Sequence, residues 1–68
     1  MSELIFLVTP DPEGGYTARA LGESIYTEAD TLDHLRANIR EAVDCHFDGG
    51  KAPKALRLRI VQGEVLAA

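Results

Sequence analysis

Apolar and polar positions along this chain follow two different rhythms. Leu4 to Val8, LIFLV, is apolar without a break. A run this short and rich in strand formers predicts a strand, and its lack of alternation predicts cover on both faces. From Tyr16 the period is two: Tyr16, Ala18 and Ala20 alternate with Thr17 and Arg19, the pattern of a half-buried strand. Gly22 marks a turn, and Ser24 to Glu28, with Ile25 and Thr27 opposite Tyr26, predicts a third strand. The rhythm then changes. Leu32, Leu35, Ile39, Ala42, Val43 and His46 recur at three- and four-residue intervals, one stripe of a helix, while Asp33, Arg40, Glu41, Asp44 and Asp48 project away from it. Asp30 and Thr31 are good N-cap residues for this helix, and Gly49 with Gly50 supplies its C-terminal stop. A short loop from Lys51 to Lys54, with Pro53 inside, leads to a fourth strand in which Leu56, Leu58 and Ile60 alternate with Arg57 and Arg59. The last residues, GEVLAA, offer a short extra strand or a swapped edge.

The predicted fold is α+β, in the order β-β-β-α-β, a single sheet with one helix packed on one face. A helix between strands three and four makes a right-handed crossover. It covers only one face of Leu4 to Val8, so the other face predicts a homo-oligomer, dimer or higher. Length strengthens that expectation. The chain has 68 residues, one domain at most, and a domain this small buries only roughly 60% of the surface its unfolded chain exposes. Its single cysteine, Cys45, forms no internal disulfide. No metal-ligand spacing appears, and neither metal nor cofactor is expected.

The composition, 46% hydrophobic and 26% charged, is that of a folded rather than a disordered chain. An apolar run of five residues is far short of the ~20 that span a bilayer. No basic segment followed by a long apolar stretch opens the chain, so a cytoplasmic home and no membrane partner are expected. The net charge of −4 argues against a dedicated nucleic-acid binder and suits a basic protein partner.

Five features invite chemistry. Gly14 and Gly15 in DPEGGYTA would cradle a phosphate only if they led into a helix N-terminus; they lead into a strand, which predicts a hairpin turn. Cys45 and His46 are adjacent, so on a helix they point about 100° apart, and no third residue orients the ring. A packed thiol beside a histidine is expected rather than a hydrolase dyad. His34 and His46 lie 12 residues apart, roughly 18 Å along a straight helix, too far to share a metal. Asp44 and Asp48, at i and i+4, put two carboxylates on one helical face, either an acidic patch for a basic partner or a solvated face that Arg40 relieves. Lys51, Lys54, Arg57 and Arg59 concentrate four of the seven basic residues. They form an RNA-binding edge or a charged, protected strand edge; the stretch holds no aromatic residue for base stacking. The candidate partner-binding residues are therefore Asp44, Asp48, Arg57 and Arg59, with no catalytic residue assigned.

An apolar strand, then EGGYTARA, then TEADTLDHLRANIREAVD resembles the HicB-like antitoxin family. Gly15, Tyr16 and Ala18 match its acidic turn and Tyr-x-Ala strand. Asp30, Thr31, Leu32, Asn38, Glu41 and Ala42 match its Asp-Thr-Leu helix start and Asn-x-x-Glu-Ala helix body. The likeness runs from about residue 4 to residue 61. It implies a truncated RNase H-like fold, a domain without catalytic residues that self-associates, and binding and inhibition of a small basic HicA-type ribonuclease. The chain departs from the family pattern in carrying ALGES where a Pro-Gly-Cys-type segment is common. It also reads as a single domain over residues 1–68, with no helix-turn-helix or ribbon-helix-helix DNA-binding part. The alternatives are an RNA-associated protein using Lys51 to Arg59 and, behind it, a small hydrolase using Cys45 and His46.

Overall fold

A computed structural model describes residues 3–61. Its elements are β1 (Glu3–Pro10), β2 (Tyr16–Ala20), β3 (Tyr26–Ala29), α1 (Leu32–His46) and β4 (Ala55–Ile60). This is the expected α+β order, one four-stranded sheet with a single helix against it. The strands lie in the order β3-β2-β1-β4. β1 pairs antiparallel with β2 and parallel with β4, and β2 pairs antiparallel with β3. The helix therefore carries the chain from one edge of the sheet to the other. The sequence GEVLAA, with Val65 and Leu66, lies outside the described residues.

Alternation along β1 divides the apolar run between two environments. Leu4, Phe6 and Val8 are buried beneath the helix, whereas Ile5 and Leu7, on the opposite face, are half-buried. The core continues through Ala18, Ala20 and Ile25 to Leu35, Ile39 and Val43 of α1. These last three lie at i, i+4 and i+8, one stripe along the helix. Small side chains at Ala18 and Ala20 let the helix come close: its backbone approaches β2 and β3 within 8 Å but neither β1 nor β4. The helix is thus displaced to one side of the sheet. Along β4, Leu56 and Leu58 are only half-buried and Ile60 is 51% exposed. A second under-covered apolar surface results, on the helix side of the sheet.

The glycine pair closes a hairpin. Pro10 pairs with Tyr16, and the Gly14 amide donates to the Asp11 carbonyl at 2.9 Å while the Asp11 amide donates to the Gly15 carbonyl at 2.9 Å. The Asp11 side chain accepts from the Glu13 amide at 2.9 Å, an Asx turn that fixes the loop. Both glycines have positive φ, 106° and 85°. At Gly15 an added Cβ would sit 2.8 Å from the Ala29 carbonyl oxygen, whereas at Gly14 it would meet open space. Gly14→Ala is expected to cost about 1 kcal/mol of unfolding free energy from φ strain alone, and Gly15→Ala distinctly more. Urea denaturation of the two variants checks the ranking; equal costs would show that the Ala29 contact is relieved without consequence.

Two boundaries differ from the sequence expectation. The third strand begins at Tyr26 rather than Ser24, although Ile25 is buried in the core. The helix stops at His46, not at the glycines. Phe47 turns into an extended conformation (φ −105°, ψ 130°), its amide still donating to the Val43 carbonyl, and its ring packs against the core. Packing of that half-buried ring ends the helix at His46, three residues before Gly49. At the other end Thr31 is the N-cap, its hydroxyl accepting from the His34 amide at 3.1 Å.

Candidate functional site

A cleft of about 670 Å³ opens between the β1–β2 turn, the end of β3 and the first two turns of α1. Asp11, Glu13, Tyr16, Asp30, His34 and Asn38 line it. Each is placed by a local device. The Asx turn holds Asp11 and Glu13 on the hairpin tip. Asp30 precedes the N-cap, and His34 follows it by three residues, so both stand where the helix begins. Asn38 donates to the Glu28 carbonyl at 3.1 Å, tying the helix to the free edge of β3. Tyr16 lies half-buried at the floor, packed against the core. Asp11, Glu13 and Asp30 are exposed, as is Glu28 at the rim, and among the described residues no lysine or arginine lines the cleft. Its chemistry is that of a receptor for a cation, with an aromatic ring alongside. Among the described residues no group of three or more His, Cys, Asp or Glu side chains is arranged to hold a metal ion.

The residues singled out from the sequence are scattered around this cleft rather than gathered in it. Asp44 is exposed on the helix. Asp48 lies beyond the helix end, where its carbonyl accepts from the Lys51 amide at 2.9 Å; the two carboxylates do not share a helical face, because α1 stops at His46. Arg40 has no ion-pair partner among the described residues, and the pair on that helix is Arg36–Asp33 at 2.8 Å. Arg57 is bound by Glu3 at 3.0 Å, across the parallel β1–β4 pair. Arg59 stands exposed beside it. His46 is not on the buried stripe. It is exposed, and its Nε2 lies 3.0 Å from Glu23 Oε1, linking the helix end to the β2–β3 turn. Cys45 is exposed.

The sequence is 51% identical over 51 residues to a UPF0150 protein of Archaeoglobus fulgidus, covering 75% of this chain and 76% of the relative. It is 38% identical over 65 residues to a UPF0150 protein of Thermotoga maritima, covering 96% of this chain and 91% of the relative. The chain belongs to the UPF0150 family. No family model matches it, and no solved structure matches it.

For this UPF0150 chain, sequence reasoning missed the cleft itself. Asp11, Glu13 and Tyr16 come from one hairpin, and Asp30, His34 and Asn38 from a helix start more than ten residues later. Their only signal was the density of acids around two turn-forming segments. Among the described residues no hydrogen bond joins Cys45 to His46, whose ring nitrogen is taken by Glu23. Cys45→Ser is accordingly expected to leave stability within about 0.5 kcal/mol of wild type, as for other exposed positions. A hydrolytic activity of the purified protein that vanished in this variant would overturn that expectation.

Proposed function

We propose that this UPF0150 protein is a non-enzymatic protein-binding module of the HicB-like antitoxin type. On this reading it has a truncated RNase H-like fold and self-associates in the cytoplasm. It binds and inhibits a small basic HicA-type ribonuclease. The observation that carries the reading is the acidic cleft. Asp11, Glu13 and Asp30 present three carboxylates with no lysine or arginine among the described lining residues, so a lysine or arginine side chain of a basic partner meets complementary charge there. Three matches to the family pattern, Tyr16, Asp30 and Asn38, line the same cleft. The under-covered apolar strip along β4 supports self-association.

The test is capture of partners from the native host on the immobilised full chain, followed by sequencing of what is retained. The expected result is one small basic protein, released by salt, whose RNA-cleaving activity falls when the chain is added back. Neutralising the cleft in Asp11→Asn/Glu13→Gln/Asp30→Asn is expected to weaken capture by about tenfold or more, chiefly by slowing association, since complementary charge acts on the encounter rate. Capture of that protein unaltered by the triple variant would move the site elsewhere. A retained partner without excess positive charge would end the reading.

A further inference from the structure

The sheet face turned away from α1 carries a line of side chains that strand pairing alone brings together. Tyr26 pairs with Arg19, Arg19 with Leu7, and Leu7 with Arg59, so one row crosses all four strands. Paired residues on neighbouring strands project from the same face, and strands lie about 4.8 Å apart, so the row is roughly 14 Å long. In the next row the Leu21 amide donates to the Ile5 carbonyl, and Ile5 pairs with Arg57. Tyr26 is 62% exposed and Leu21 42%. Ile5 and Leu7 form a half-buried apolar floor between them. Arg57 is engaged by Glu3, but neither Arg19 nor Arg59 has an ion-pair partner among the described residues.

The charge on this face is opposite to that of the whole. Arg19, Arg57 and Arg59 outnumber the two carboxylates that share it, Glu3 and Glu28, in a chain whose net charge is −4. Packing a second copy against it would crowd two sets of Arg19, Arg57 and Arg59 into one interface, with like charges brought together out of water. An anionic, aromatic ligand avoids that conflict. Arginines about 10 Å apart across two strand spacings can meet phosphates. A tyrosine lying open on a sheet offers its face to a base, as does the guanidinium plane of Arg19 beside it. The sequence alone left the basic strand without an aromatic companion; the strand order β3-β2-β1-β4 supplies Tyr26.

We propose that the open face of the sheet binds single-stranded nucleic acid, with Arg19 and Arg59 on phosphates and Tyr26 beneath a base. This goes beyond the protein-binding reading and does not depend on the cleft. Fluorescence anisotropy of a labelled oligouridylate titrated with the full chain tests it, with oligothymidylate as the DNA counterpart. A saturable rise at low salt is expected. The slope of log K against log salt is expected near −0.7 per phosphate contacted, about −1.4 to −2.1 for two or three arginines. Arg19→Glu/Arg59→Glu is expected to weaken binding about tenfold or more and to flatten that slope. Tyr26→Ala is expected to weaken it about fivefold or more with the slope retained, while Tyr26→Phe restores it. Cys45→Ser, away from the face, serves as the control. Binding of either polymer with this variant pattern supports the proposal, and the tighter of the two identifies the polymer. No rise at low salt, or a rise indifferent to Arg19, Arg59 and Tyr26, overturns it. So does sedimentation showing that Tyr26→Ala turns a dimer into a monomer, since the face would then belong to a second copy.

Discussion

Replacing Phe6 with alanine is expected to leave the domain largely unfolded at ambient temperature. Phe6 is fully buried, at the middle of β1, the strand that pairs with both β2 and β4. It belongs to the core cluster of Leu35, Ile39 and Val43 from the helix and Ala18 and Ala20 from β2. Its neighbours across the sheet are Ala20 and Leu58; alanine is too small to fill the space a phenyl ring leaves. Truncation of a buried phenylalanine costs about 3–5 kcal/mol. A domain of this length has a total stability of only about 3–10 kcal/mol, at 0.05–0.15 kcal/mol per residue. A domain with so small a core belongs at the lower end of that range, where this cost removes most or all of the total. Ile5→Ala, one residue away but on the half-buried face, is expected to cost much less. Circular dichroism during urea or thermal denaturation compares the two. A Phe6→Ala domain with an unchanged midpoint would mean that the sheet and helix are held together by something other than this core.

Sedimentation equilibrium at micromolar concentration is expected to give a mass at least twice the 7.4 kDa of one chain. The continuous apolar run Leu4 to Val8 has a second face that the helix does not reach, but the larger under-covered apolar surface lies elsewhere. On the open face Ile5 and Leu7 are accompanied by three arginines, which disfavour burial against a like face. On the helix side, α1 sits over β2 and β3, and a groove is left beside it whose apolar lining is Leu32, Ile39, Leu56, Leu58 and Ile60, with Arg36, paired to Asp33, and Arg40 on its helix wall. Ile60, at 51% exposure, marks the outer edge of the groove. Full burial of such side chains stabilises by roughly 1.5–3 kcal/mol each, and a two-fold interface would collect that gain from both copies. Ile60→Lys places a charge in the strip and is expected to shift the equilibrium to monomer without unfolding it, because Ile60 lies outside the core. A wild-type chain that remains monomeric and cooperatively folded on dilution would show that the strip tolerates water.

What was legible in the sequence was whatever a short window determines. The two-residue period gave β2 and β4, and the three- and four-residue period gave α1 with Leu35, Ile39 and Val43 on its buried side. The hairpin was readable because Asp11, Gly14 and Gly15 act on one another within five residues. The helix stop was misread because two signals compete there. Gly49 and Gly50 permit an ending, but Phe47 imposes an earlier one, since its ring finds the core only if the backbone leaves the helix first. Likewise His46 continues the apolar stripe by spacing, yet Glu23, 23 residues away, draws it to the surface.

Element order, turn chemistry, the core side of each element and the net charge were therefore set by the sequence acting locally. The lateral order of the strands, the offset of α1 towards β3, the acidic cleft and the row from Tyr26 to Arg59 were decided only by the tertiary structure. Their partners are far apart along the chain, as Glu3 and Arg57 are at a separation of 54 residues. Residue periodicity says which side of a strand or helix faces inward, but not which strand lies beside which. That choice follows from how side-chain volumes fit: alanines on β2 admit the helix, larger residues on β1 and β4 stand beside it and leave a groove along β4, and the charges on the far face are brought together as a result.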